Sequence, residues 1–255
     1  MEELYTTWKA IGVAGGDLSF FQDFFVKFYQ AFIEGDRWLQ YLNGVKTTLL
    51  VTALALILGI VLGVLVAMLR TAHDQQRPGH RNPILAVLNL ICKIYVTVIR
   101  GTPMMVQLLI MGFVIFASSR NFTMIGTLTL GINSGAYVSE IVRGGLMSVD
   151  KGQMEAGRSL GLNYMTTMRF IVIPQAVKAI LPALGNEFII LLKDTSLITV
   201  IGGKELLYAA QGIYNRTYEQ MFPLIGTAAL YLVLVIILSW LLGKLERRLR
   251  QSDRR

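Results

Sequence analysis

Residues 154–176 read MEAGRSLGLNYMTTMRFIVIPQA, a polar island between stretches apolar enough to cross a bilayer. Glu155 to Leu160 has the composition of a short surface helix. Gly161 ends it, because glycine enters the left-handed cap conformation without a Cβ clash. A second piece follows and is expected to stop at Pro174, which lacks the N–H a continuing helix needs. A short, capped, exposed helix between two spans is shaped to fill a partner's groove. Read from these residues alone, the competing possibility is an ordinary loop that glycine and proline merely punctuate.

Outward from that island the composition sets the class. The chain has 255 residues, the size of one membrane unit or of one to two soluble domains. Hydrophobic content of 54%, charged content of 16% and a mean hydropathy of +0.55 decide for a membrane protein. The net charge of +8 is no nucleic-acid signal. Lys244, Arg247, Arg248, Arg250, Arg254 and Arg255, less Glu246 and Asp253, supply half of it in one tail after an apolar run. Such a tail reads as a cytoplasmic anchor beside anionic lipid. Glu246 and Arg250 stand at i, i+4, where they can pair. Cys92 stands alone, so no intrachain disulfide forms. Residues 1–15 lack the basic start and apolar run of a signal peptide.

Five spans are expected. Before them, Asp17 to Leu42 sets Phe21, Phe24, Phe25, Phe28 and Phe32 opposite Gln22, Asp23, Lys27 and Gln30, the pattern of a helix lying in the membrane interface. Leu49 to Leu69 is uncharged and long enough for about 30 Å of hydrocarbon. Its Gly59 and Gly63 offer a close-contact face. Arg70, Arg77 and Arg81 place the next loop in the cytoplasm. Ile84 to Ile99 is apolar but short and holds Lys93; it reads as a lead-in to a second span at Met104–Ser118, across the break Arg100-Gly101-Thr102-Pro103. A single helix bent at Pro103 is the alternative. The remaining spans are Phe122–Val142, Ala179–Ile198 and Leu224–Leu242, with 201–222 a polar external loop carrying Tyr208, Tyr214 and Tyr218. Five crossings put the amino terminus outside and the carboxy terminus in the cytoplasm. The organisation is then an extracytoplasmic segment at 1–44, a membrane domain at 45–243 with the cytoplasmic loop 150–175, and a basic tail at 244–255.

Two spans carry polar groups that lipid would not tolerate. Asn133, Tyr137, Glu140 and Gly144 recur at helical intervals and share one face. Asn186 and Lys193, and beside them Glu187 and Asp194, form two stripes on the fourth span. Either these line the route of a polar solute, or Glu140 pairs with Arg143 or Arg169 and the fourth-span groups hold that helix in place. Catalytic chemistry is absent from the pattern. Gly202-Gly203-Lys204 fails as a phosphate loop because position 198 is isoleucine and no Ser or Thr follows the lysine. His73 and His80 have no metal-ligand spacing and no paired nucleophile. A rival function is an ion-coupled secondary transporter with Glu140, Glu187 and Asp194 as relay carboxylates, although no internal repeat is evident.

The island resembles the EAA loop of bacterial ABC importer permeases: Glu155-Ala156-Gly157, then Gly161 after three intervening residues, then Ile171-Val172-Ile173-Pro174 after nine more. Gly157 stands where alanine is common and Ile173 where leucine is; the glycine should weaken the helix by roughly 1 kcal/mol. Further stretches resemble polar amino-acid importer permeases, the HisMQ-like subfamily. These are Val98-Ile99-Arg100-Gly101-Thr102-Pro103 with Val106-Gln107, Asn133-Ser134-Gly135-Ala136-Tyr137 with Glu140-Ile141, and Lys193-Asp194-Thr195-Ser196-Leu197. The resemblance runs from about Tyr41 to Leu242. It implies an all-α, five-helix permease of the type I importer (MetI-like) fold in the bacterial inner membrane, working as a dimer with a copy or a relative. Two ATPase subunits would bind inside and an amino-acid-binding protein outside. ATP would be bound by those partners, with no cofactor, metal or nucleic acid on this chain. Glu155, Ala156, Gly157, Ser159, Leu160 and Gly161 would couple to the ATPase. The solute path, read from helical phase, would be lined by Asn133, Tyr137, Glu140, Asn186, Glu187 and Asp194.

Overall fold

The computed structural model describes residues 1–76 and 82–251. Arg77, His80 and Arg81 of the expected loop lie outside the described residues, as do Asp253, Arg254, Arg255 and the side chain of Arg250 in the tail. The described residues contain helices and turns only: α1 (Glu2–Val13), α2 (Phe20–Phe32), α3 (Arg37–Asp74), α4 (Pro83–Gly101), α5 (Met104–Ile110), α6 (Phe122–Met147), α7 (Lys151–Ser159), α8 (Tyr164–Thr167), α9 (Ile173–Asp194), α10 (Leu206–Thr217) and α11 (Met221–Gln251).

The amphipathic stretch expected over 17–42 is two helices. Ser19 starts α2 with a capping box. Gly35 (φ +61°) and Asp36 (φ +53°) then break the chain before α3. The phenylalanines also divide. Phe24 and Phe28 meet Phe222 of α11, whereas Phe25 stacks edge-on with Trp8 of α1. From Arg37, α3 runs without proline for about 57 Å at 1.5 Å per residue.

The second crossing differs from its expected position. α4, at 19 residues, is long and apolar enough to span, while Met104–Ile115 is a shorter apolar helix. Contacts order the two along one bent path. Asn89 of α4 meets His73 near the end of α3 at 3.1 Å. Tyr95 donates to the Ile132 carbonyl at 2.5 Å, Gln107 of α5 meets Asn133, and Phe113 packs on Phe122 at the opposite end. The bend has a local cause. Pro103 has no N–H for the Ile99 carbonyl four residues earlier. The Gln107 side-chain amide donates to that carbonyl at 2.7 Å instead, and to Thr102 Oγ1 at 2.8 Å. Lead-in and span are therefore one kinked passage.

Two other expectations are corrected. Pro174 does not end a helix; it sits in the first turn of α9, after a π-helical turn at Met168–Val172. The first turn needs no N–H from that position, so Tyr164–Ile201 runs as a nearly continuous apolar unit. The expected polar loop at 201–222 contains α10, whose Leu206, Ala210 and Ile213 are buried against Tyr41 and Tyr231.

α6 is absent from the four apolar candidate spans because glycine, serine and threonine replace large side chains along it. It traverses the bundle nonetheless, from Phe122 beside Gly202 to Arg143 beside Asp74. Small residues let it touch α3. A Cβ on Gly59 would lie 2.7 Å from Ser134 Oγ, and one on Gly63 would lie 2.6 Å from Val138 Cβ. Reciprocally, Gly131 and Gly135 leave no room against Leu58 and Leu62. Two GxxxG stripes therefore meet within one chain, and packing at backbone distance is what holds helices together where lipid removes the hydrophobic drive.

Gly63→Val should cost about 2 kcal/mol by overpacking, read as a lowered melting temperature in detergent. Gly144→Ala, where nothing lies within 4 Å, should not lower it and gains helix propensity. Equal melting of both variants would contradict the contact. Gln107→Leu, which strands the Ile99 carbonyl and Asn133, should cost about 1–3 kcal/mol in the same assay.

Candidate functional site

The polar island folds into a braced knob. Asp150 opens α7 by accepting the Gly152 N–H at 2.6 Å. At its end Gly161 takes φ +80°, and Leu162 N–H reaches back to the Gly157 carbonyl at 3.1 Å. Asn163 then caps α8, accepting from Thr166 N at 2.9 Å. Cap follows cap with no slack between them.

The departure at Gly157 has a steric explanation. Gly157 is buried, and a Cβ there would lie 2.5 Å from Thr167 Cγ2 and 2.9 Å from Thr167 Oγ1. Thr167 is fully buried and β-branched, and its hydroxyl bonds the Asn163 carbonyl, so it has little freedom to move. Glycine gives up helix propensity so that α7 can lie directly on α8.

Side chains tie the knob to the bundle. Gln175 of α9 donates to Gln153 of α7 at 3.1 Å, and the Tyr164 hydroxyl of α8 donates to Gln75 at the end of α3. Nearby, Arg70 of α3 bonds Glu140 of α6, and Arg143 of α6 bonds Asp74 of α3 at 2.9 Å. What the knob shows to solvent is Glu155, Ala156 and Ser159, with Leu160 80% exposed and Met165 and Phe170 close behind. The tip of this polar loop is thus apolar and exposed.

The six residues expected on the solute path have different surroundings. Asn133 bonds Gln107 at 3.0 Å. Tyr137 is exposed, with the Arg100 guanidinium 5.2 Å from its ring centroid. Glu140 is held in the Arg70–Arg143 cluster, with Arg143 Nε at 3.8 Å. Glu187 is buried and accepts from Ser134 Oγ at 2.8 Å. Asn186 is exposed and Asp194 half-buried. Exposed Arg100 and Lys193 lie on the crossing helices too. Sequence reading gave no role to Arg100 or Gln107 beyond motif membership. The spacing of Gln107 from Pro103 carried a signal, since only a side chain one turn on can reach the orphaned carbonyl. Glu205 was missed entirely, because nothing marks a lone acid in a polar stretch as buried. Among the described residues no cluster of His, Cys, Asp and Glu could hold a metal ion.

Five helical passages and a capped, braced helix between the third and fourth define a transport permease, not a catalytic enzyme. The chain belongs to the family described as binding-protein-dependent transport system inner membrane component, whose model matches residues 84–251. It is 34% identical over 229 residues, covering 89% of this chain and 97% of the relative, to a putative glutamine transport system permease protein GlnP of Rickettsia typhi. The glutamine transport system permease protein GlnP of Escherichia coli K12 is 39% identical over 171 residues, 64% of this chain and 77% of that one. Among solved structures, an amino acid ABC transporter crystallised with histidines matches with a TM-score of 0.74 at 40% identity, over 82% of this chain and 94% of that chain. The MetNI methionine transporter, inward facing, shares the fold at TM-score 0.70 and 20% identity, over 85% of this chain and 99% of that chain. The protein is thus a multi-pass inner-membrane permease of an ABC importer, a class that works with ATPase subunits, a binding protein and a second permease.

The Gly157–Thr167 contact makes a non-additive prediction. Gly157→Ala alone should lower the melting temperature, as the clash outweighs the roughly 1 kcal/mol of helix propensity gained. In a Thr167→Ala background the same change should raise it. The same sign in both backgrounds would contradict the packing.

Proposed function

We propose that this chain forms half of the membrane pathway of a polar amino-acid importer. The complex would hold two permeases, this chain twice or this chain with a relative, two ATPases and one receptor. The observation that carries the reading is the exposed, doubly capped α7, held to α9 directly and to the end of α3 through α8, so that force on it reaches the crossing helices. Glu155 to Gly161 would dock in a groove of the ATPase, which binds the ATP. Closure of the ATPase pair would push α7 and rock the passages, opening the path to each side in turn.

Orientation follows from charge: the α7 end and the basic tail lie in the cytoplasm, while α1, α2 and α10 lie outside, with the exposed Phe20 and Phe21 at the lipid interface. The solute face is a matter of cost. A charge facing lipid at mid-bilayer costs about 2.5–3.5 kcal/mol even on lenient scales. Exposed Arg100 and Lys193, with Tyr137 and Asn186, therefore face the second permease across a wet path. Their charges suit the α-carboxylate of an amino acid, while the receptor selects the side chain. Glu187 and Glu140, both bonded inside the chain, anchor that face rather than line it.

The test is co-purification and uptake with the partner ATPase. Leu160→Asp should weaken ATPase attachment by about 2 kcal/mol, roughly 30-fold, with insertion unchanged. Uptake should need ATP and survive collapse of the proton gradient. Uptake that follows the gradient, or normal coupling by Leu160→Asp, would contradict the proposal.

A further inference from the structure

At the end of the bundle opposite α7 sits a carboxylate with no role in anything above. Glu205 is only 2% exposed. It caps α10, accepting the Tyr208 N–H at 2.9 Å. Its other oxygen accepts the Tyr231 hydroxyl of α11 at 2.5 Å and the Thr48 hydroxyl of α3 at 3.3 Å. Thr48 Oγ1 in turn accepts the Leu206 N–H at 3.2 Å. α3 and α10 are pressed together here, for a Cβ on Gly44 would lie 2.7 Å from Leu206 Cα.

Capping alone does not explain this residue. A serine or aspartate caps a helix as well and need not be buried. Burial pushes the Glu205 carboxyl above its ordinary range, against which hydrogen bonds from Tyr231 and the backbone pull it down. That cost goes with a reach to two further helices. α10 presents Tyr218, 93% exposed, and Arg216 to solvent, and Arg216 adds a surface bond to Gln40 of α3. From Thr48 to Asp74, α3 is unbroken over about 39 Å. Its end bonds Arg143 of α6 and Tyr164 of α8, the helix on which α7 lies.

We propose that Glu205 is a positioning residue that passes receptor docking on α10 to α3 and α11, and through α3 to the ATPase end. It rests on the importer reading above. Loss of the clamp would leave the receptor bound but unheard.

The experiment uses the full transporter in lipid vesicles, with its ATPase, its receptor and the receptor's amino acid. Glu205→Gln keeps the shape but has one acceptor oxygen where the carboxylate has two, so it cannot accept both the Tyr208 N–H and the Tyr231 and Thr48 hydroxyls. Basal ATP hydrolysis should stay near wild type and receptor affinity should hold. The receptor-stimulated increment should fall by at least about fivefold, the low end of a site-to-site coupling. Tyr231→Phe, which removes one donor, should give a smaller loss, and the double variant should be no worse than Glu205→Gln. If Glu205→Gln does not assemble, Tyr231→Phe carries the same readout. Unchanged stimulation, or basal and stimulated rates falling in proportion, would overturn the clamp. A wild-type complex with ATPase attached that no receptor stimulates would overturn the importer reading, and the clamp with it.

Discussion

The contact between α3 and α6 is what the other helices are arranged around. A bilayer offers two apolar helices no hydrophobic reason to associate, so they must gain by touching more closely than either touches lipid. Gly59 and Gly63 on one side, with Gly131 and Gly135 on the other, supply that closeness. The same small residues leave α6 polar, and its polar groups are then satisfied by neighbours: Ser134 by Glu187, Asn133 by Gln107, Glu140 by Arg70. Buried polarity here follows from close packing, because a thin helix exposes hydroxyls and amides to its partners and not to lipid.

With α3 fixed to α6, the long helix becomes a beam. One end carries the Glu205 junction, where three helices meet, and the other carries the ion pairs and the Tyr164 bond that steady α7. Between the two, the kink at Pro103 has a local remedy and Pro174 needs none. Pro103 bends the second passage and Gln107 fills the gap it leaves. Pro174 falls in the first turn of a helix, where it is tolerated. The kinks are part of the folded shape, which suits the proposed rocking of whole passages.

Much of this was legible in the sequence, and the failures have physical reasons. The capped α7 could be read because Gly161 demands a conformation only glycine adopts freely, and Gly161 does take φ +80°. α4 was misplaced because Lys93 and a short apolar run hid a helix that crosses jointly with α5. α10 was read as a loop because its buried face is three small or aliphatic residues among tyrosines. Helical phase put Asn186 and Glu187 on adjacent stripes, yet only packing showed that one points outward and the other into α6. Glycine at 157 looked like a defect until Thr167 was seen to occupy the space.

The central claim is that α7 and α3 move as one body. Spin labels at Lys151 and Ala72 of one chain, in the assembled transporter, would report their separation with and without trapped ATP. The account predicts the same distance in both states while the complex changes conformation. A shift approaching one helical turn, about 5.4 Å, would show α7 sliding over the bundle and would contradict it.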